Sequence, residues 1–283
     1  MAEFLTLPQA IERYVADGKS VALEGFTHLI PHAAAHEIIR KGQKDLTLIR
    51  MTPDMIYDQL IGMGQVGKLV FSYAGNPGVG LLRRLRDAVE NQWPRPLEIV
   101  EHSHAAMAHA YEAGASQMPC AFMRGYKGAE LKDVNPNIKT INCPFTGEEL
   151  AAFPALNPDV GIIHAHKADR KGNVLLEGIV GVQKECILAA KNSIVTVEEV
   201  VDSLGDVHPN ACVLPGWAIS AIAEVPGGAH PSYVHGVYDR DNATYVDWDK
   251  ISADRELFQA WMQEHVLDAD PSIFATRVEG LRK

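Results

Sequence analysis

The sequence predicts an α/β fold, a mostly parallel sheet covered by helices. Three observations carry that expectation. Short apolar runs alternate along the chain with amphipathic stretches of helical period. The segments joining them are short, as βαβ units require. The stretch Ser20 to Ile39, SVALEGFTHLIPHAAAHEII, reads as strand, tight turn and helix in immediate succession. The 283 residues allow one large α/β domain or two small ones. No Ser/Pro/Gly-rich linker separates two halves, so one domain over residues 1–283 is expected, with a helical extension from about residue 238.

Taken in order, Leu7–Val15 is the first helical stretch. In the strand Ser20–Leu23 the run Val21-Ala22-Leu23 meets Gly25 and stops. Gly25 admits positive φ or close backbone approach, and Pro31 suits the first turn of the helix that follows, Ala33–Lys41. A loop between a strand end and a helix start presents backbone N–H groups that can hold an anionic oxygen. Leu46–Ile49, Lys68–Ser72 and Leu97–Glu101 read as strands, with Leu81–Gln92 and Ala105–Ala113 as helices. Cys120–Met123 is a further strand, and the Pro-, Gly- and Asn-rich stretch Gly125 to Pro158 reads as an irregular excursion. Strands Gly161–His164, Ile194–Val200 and Cys212–Leu214 follow, with a helix at Glu185–Ala190. Beyond Tyr238 the tail is polar and carries Trp248 and Trp261, and Ser252–Val266 reads as a peripheral helix packed on its own domain or on a partner.

Apolar content of 47% and aromatic content of 7% describe an ordinary globular core. A formal charge of −10 argues against a nucleic-acid surface. The four cysteines are widely spaced and form no CxxC pair, which excludes a zinc ribbon or dithiol motif and suits a reducing compartment. No basic segment precedes an apolar stretch at the N-terminus, and no apolar run is long enough to cross a bilayer. A cytoplasmic location is the expectation.

Several segments are candidates for chemistry. Gly75-Asn76-Pro77-Gly78-Val79-Gly80 follows a strand and precedes a helix, but GxxGxG is not a dinucleotide fingerprint and no Walker lysine follows. The loop suits close approach of an acyl or pantetheine arm, or a plain βα turn. If the strand Leu97–Glu101 stays extended, Ile99, Glu101 and Ser103 share one side, with Val100, His102 and His104 on the other. A carboxylate at a strand's C-terminal end lies where open α/β sheets bind ligands, so Glu101 and Ser103 are candidates for a polar pocket. The alternative is that Glu101 caps the next helix or pairs with a surface cation. His164-Ala165-His166 offers half a metal site without a third ligand, so no metal is expected. The loop Pro226 to Ser232 suits a pocket or interface. There is no GxSxG elbow.

The segments VALEGFTHLIPHAAAHEIIR, KLVFSYAGNPGVG, EHSHAAMAHAYEAGA, IIHAHKADRKGNVLLEGIVGVQKE and VPGGAHPSYVHG together resemble the A subunits of family I CoA-transferases over nearly the whole chain. The run from Gly25-Phe26 to Pro31 resembles the family's first signature, and HAxxADRKGNVxxxG is a more specific marker. The resemblance implies an open sheet with helices on both faces and a homologous B subunit, in an A2B2 or AB assembly. It also implies ping-pong transfer through a glutamyl-CoA thioester, with CoA thioesters and small dicarboxylic acids as substrates and no permanently bound cofactor. The family's nucleophilic glutamate lies in a Ser-Glu-Asn-Gly run of the B subunit, and no such run occurs here. The covalent nucleophile is therefore expected in the partner. Glu24 stands where the signature usually has glycine, and no nucleophilic role is carried onto it. The walls expected from this chain are Gly25 and Phe26, the loop holding Gly75, Asn76 and Gly78, and Glu101 with Ser103; Arg50 is a weaker candidate for holding an acid. The rivals are a CoA-thioester ring-cleaving hydrolase that would use Glu101 in its Glu-x-Ser stretch, a CoA-transferase for another dicarboxylic acid such as glutaconate, and the ligand-sensing domain of a sugar-responsive regulator.

Overall fold

The computed structural model describes residues 2–126 and 128–283. The chain opens with strand β1 (Glu3–Phe4) and helix α1 (Leu7–Tyr14), whose N-terminus is closed by a capping box between Thr6 and Gln9. β2 (Ser20–Glu24) leads through the Gly25 turn to α2 (His32–Lys41), β3 (Leu46–Ile49), α3 (Met55–Gly62) and β4 (Val66–Phe71). Then come α4 (Arg83–Asn91), β5 (Glu98–Glu101), α5 (His104–Ala115) and β6 (Cys120–Met123). A short α6 (Leu131–Val134) precedes β7 (Lys139–Asn142) and β8 (Glu149–Pro154). The second half holds β9 (Val160–Asp169), β10 (Val174–Leu176), α7 (Gln183–Ala189), β11 (Asn192–Val201), β12 (Cys212–Leu214) and β13 (Ala221–Glu224). Helices α8 (Asn242–Ala253), α9 (Arg255–Met262) and α10 (Ile273–Arg277) close the chain.

The main sheet runs β1-β13-β11-β9-β2-β3-β4-β5, every neighbouring pair parallel, with β10 and β12 added antiparallel beyond β9. Both faces are covered. One apolar cluster gathers α1, α2, α3 and the C-terminal helices against the sheet, and α5 packs with α7 on the other side. This explains why Val160 to Ala168 is almost continuously buried rather than alternating. From β2 the chain steps outward to β5; from β9 it steps the other way to β13. The switch in direction falls between β2 and β9, where Glu24 pairs with Ile163. Open α/β sheets place their ligand crevice at such a point.

The structure corrects several expectations. The Gly125 to Pro158 stretch is not irregular: it holds β7 and β8, which join the expected strand β6 in a small antiparallel sheet, although Lys127 lies outside the described residues. Its strands are four to six residues long, too short for a clear period-two signal. Helix α3 escaped notice because all eight of its residues are buried, which removes the polar face that marks a helix. The tail is not peripheral. Trp248, Phe258, Met262 and Phe274 are buried in the same cluster as the sheet's inner face. The helix read over Ser252–Val266 is broken at Asp254, which caps α9 through bonds from Glu256 N and Leu257 N.

Candidate active site at the strand ends

The turn after β2 is defined by close packing. A Cβ on Gly25 would lie 2.7 Å from Leu29 O and 2.8 Å from Ile30 Cα, so the role of Gly25 is close approach. Positive φ falls instead on Thr27 (64°) and Leu29 (54°). Left-handed backbone in residues with a Cβ costs roughly 1–2 kcal/mol each, and such strain gathers at functional sites. The turn is held by the loop that begins at Pro226. Leu29 N donates to Tyr233 O, Ile30 N to Ser232 Oγ and Ala33 N to Gly228 O. His28 stacks on Tyr233, with ring centroids 4.9 Å apart. Phe26 is half-buried against Gly181, where a Cβ would meet it at 2.8 Å.

Beneath the turn lies a buried ionic cluster. The Oε1 of Glu24 accepts from Met51 N (3.1 Å) and from the Tyr111 hydroxyl (2.9 Å), joining β2, β3 and α5. Burial pushes its pKa up to about 7, against the pull of Arg50 and these hydrogen bonds. Arg50 binds Asp54 through both terminal nitrogens (2.9 and 3.1 Å), and its Nη2 also donates to Gly25 O (2.9 Å). At 1% exposure Arg50 cannot reach an acceptor acid; it locks the turn. That removes it as a candidate for binding substrate.

Toward the sheet edge the strand ends carry a polar row. Ser72, just after β4, donates from Oγ to Met51 O (2.6 Å) and lies 3.0 Å from His104 Nδ1. With that hydroxyl proton committed to the carbonyl, Nδ1 of His104 is the donor to Ser72 Oγ. His104 is exposed. Glu101 ends β5, is exposed, and makes no side-chain hydrogen bond or ion pair among the described residues; its backbone carbonyl accepts from Asn135 Nδ2 (2.7 Å). The strand ladder ends at Glu101, and the backbone stays extended through Ser103 before α5 begins at His104. Ser103 is the N-cap of α5, its Oγ accepting from Ala106 N (3.2 Å) and its N–H donating to the Tyr126 hydroxyl (2.8 Å). Capping therefore belongs to Ser103, not Glu101, and the helix start turns His104 toward Ser72. Sequence reasoning missed Ser72 and the placing of His104; the available signal was a polar residue at each strand end.

The Gly75–Gly80 loop sits beside this row. Gly75 N donates to Pro53 O (3.1 Å), and a Cβ there would lie 2.9 Å from the hydroxyl of Tyr73, which is 61% exposed. Asn76 is buried, and its Nδ2 donates to Tyr245 O of α8 (2.8 Å). Gly78 has φ of +75° with open space around it, so its backbone conformation is what demands glycine. The structure thus places Gly25 and Phe26 at the switch point and Gly75, Asn76, Gly78, Glu101 and Ser103 at neighbouring strand ends.

On the other side of the turn lies a cavity of about 930 Å³, lined by His166, Glu177, Glu198, His208, His235 and Arg282 among others. His164 Nε2 is 2.8 Å from Glu198, which also accepts from Gly227 N and the Tyr238 hydroxyl. Burial works to raise the Glu198 pKa, but these bonds hold it below its ordinary value. His166 is engaged with His235 O (3.0 Å) and Glu177 N (3.2 Å). Among the described residues no set of three His, Cys, Asp or Glu side chains is placed to hold a metal ion. No helix among them is long and apolar enough to cross a membrane.

A family profile described as coenzyme A transferase matches residues 4–225. This chain belongs to the coenzyme A transferase family. Within it the chain is 65% identical, over 266 residues and 94% of each protein, to the A subunit of 3-oxoadipate CoA-transferase from Pseudomonas knackmussii. It is 34% identical to the A subunit of glutaconate CoA-transferase from Acidaminococcus fermentans, over 95% of this chain and 89% of that one. The crystal structure of that glutaconate CoA-transferase superposes with a TM-score of 0.92 at 32% identity, covering 100% of this chain and 96% of the other. The IpdA component of a cholesterol ring-cleaving hydrolase from Rhodococcus jostii is 24% identical over 82% of this chain and 80% of its own length. Both of these CoA-transferase relatives are named as A subunits, which implies a partner subunit of a second type.

Proposed function

We propose that this chain is the A subunit of a 3-oxoadipate CoA-transferase, moving CoA from succinyl-CoA to 3-oxoadipate in the cytoplasmic breakdown of aromatic compounds. The observation that carries the reading is the close likeness, along nearly the whole of both chains, to the Pseudomonas knackmussii protein. The absence of a Ser-Glu-Asn-Gly run supports a division of labour with a homologous B subunit, in an A2B2 or AB assembly.

In this reading the partner's glutamate attacks the donor thioester through a tetrahedral oxyanion, expelling CoA thiolate and leaving an acyl-glutamyl anhydride. CoA thiolate then displaces succinate to give the glutamyl thioester. The acceptor carboxylate repeats the two steps in reverse, so every bond broken is matched by one formed and no redox partner is needed. This chain supplies the wall. The rigid Gly25–Phe26 turn and the Gly75–Gly80 loop let backbone approach the thioester arm. Glu101, exposed at the end of β5, orients the bound thioester.

The test is to assay the purified chain alone and with a B subunit bearing the Ser-Glu-Asn-Gly run. Acyl exchange is expected only from the pair, and appreciable turnover by the isolated chain overturns the reading. Release of free CoA is followed in parallel, with and without 3-oxoadipate. Release that ignores the acceptor favours hydrolysis at Glu101 instead.

A further inference from the structure

We propose that a cavity between α2 and the C-terminal helices binds a small oxyanion, with Arg277 as its charged anchor. The cavity measures about 260 Å³, and none of the polar row from Glu24 to His104 lines it. Its walls include His36, His230, Thr244, Trp261, His265 and Arg277.

Three observations point to an anion. First, Arg277 is partly buried and forms no ion pair among the described residues. Its Nη2 donates to His265 O (3.2 Å), and its guanidinium lies 5.2 Å from the centroid of the Phe274 ring, which fixes its position. The neighbouring charge that acts on it is another cation, Arg40. A partly desolvated guanidinium without a counter-ion is costly unless something supplies one. Second, two buried imidazoles in the wall each keep an unpartnered nitrogen. His36, 3% exposed, uses Nε2 on Gln59 (2.9 Å) and leaves Nδ1 free; His230, 7% exposed, uses Nε2 on Asp241 (3.0 Å) and leaves Nδ1 free. Third, the one carboxylate in the wall is already occupied. Asp241 accepts from His230, from Thr244 N (3.1 Å) and from the Thr244 hydroxyl (2.7 Å), so it does not neutralise Arg277. What remains is one unpaired positive charge beside two imidazole nitrogens that accept, because Nε2 of each ring donates to an oxygen of Gln59 or Asp241; the fitting oxyanion therefore carries an O–H of its own, as a hydrogenphosphate or a half-protonated diacid does. The volume falls below that of pockets for drug-sized ligands and suits a phosphate or a four-carbon diacid.

The full chain is titrated with inorganic phosphate and, separately, with succinate, which distinguishes the two sources of oxyanion. Binding is read by calorimetry and by the ring resonances of His36 and His230. Saturable binding of at least one probe is expected, with both rings shifting at the same midpoint. Arg277→Gln should weaken it at least tenfold, and Arg277→Lys should weaken it less. The proposal is overturned if neither probe saturates, or if Arg277→Gln binds like the parent. It is also overturned if binding leaves both rings unmoved, which would place the ion at the acceptor site; this readout stands even if the variant does not fold.

Discussion

At the scale of single residues, the site depends on which polar groups are consumed by the fold and which are left over. Glu24 and Arg50 are consumed. Glu24 has a folded pKa near 7 against an ordinary 4.5, so its stabilising contribution is complete below pH 4.5 and is lost as pH rises through 7. The loss amounts to about 3 kcal/mol. Glu24→Gln keeps an oxygen for Met51 N and Tyr111 but cannot ionise. Urea unfolding at pH 5 and pH 8 should therefore show the variant gaining about 2–3 kcal/mol relative to the parent at the higher pH; parallel behaviour would refute the buried-carboxyl account. Glu101 is left over. Glu101→Gln should lower kcat/KM about tenfold, or roughly 1.4 kcal/mol of transition-state stabilisation, with an unchanged melting temperature. An unchanged rate would make Glu101 structural. Ser103 has a cap to make, and Ser103→Ala should cost about 1 kcal/mol of stability. Ser103→Asp restores a capping oxygen, so activity that recovers in Asp but not in Ala assigns the residue to capping alone.

At the scale of elements, the turn after β2 is the decisive piece. Its glycine was legible in the sequence, but the reason for it was not. Positive φ and close approach are both open to Gly25 on paper; only the folded loop, passing Leu29 and Ile30 within 3 Å of the missing Cβ, chooses between them. Gly25→Ala forces backbone, not a flexible side chain, to move. It should destabilise the protein by about 1–3 kcal/mol, seen as a lower melting temperature, and reduce kcat more than the stability loss accounts for at 25 °C. Activity unchanged at full folding would show that the turn tolerates the shift. The β5–α5 junction makes the complementary point. The strand read over Leu97–Glu101 ends at Glu101 as expected, and beyond it Ser103 serves as the cap of α5. That cap removes Ser103's hydroxyl from free solution and aims His104 at Ser72.

For the whole molecule, the C-terminal helices are part of the core. Trp248 donates from Nε1 to buried Asp58 (3.0 Å), and Phe258 packs edge-on to Trp248 and beside Gly62. Phe258→Ala should cost about 3–5 kcal/mol and lower the midpoint of one cooperative transition. A separate early transition confined to the tail would instead mean that it is a detachable layer. These helices also pin the Gly75–Gly80 loop through Tyr245 O and Asn76, so loosening them should raise KM before it abolishes folding.

The sequence by itself determined the α/β class, the turn after β2, the glycine loop and the family, because these rest on local period, local backbone demands and long runs of matching residues. The tertiary structure alone decided that Arg50 is buried and occupied, that the tail belongs to the core and that Ser72 meets His104. It also decided that Arg277 has no counter-ion among the described residues. Each of those facts depends on which polar groups distant parts of the chain bring within about 3 Å of one another, and spacing along the chain does not encode that.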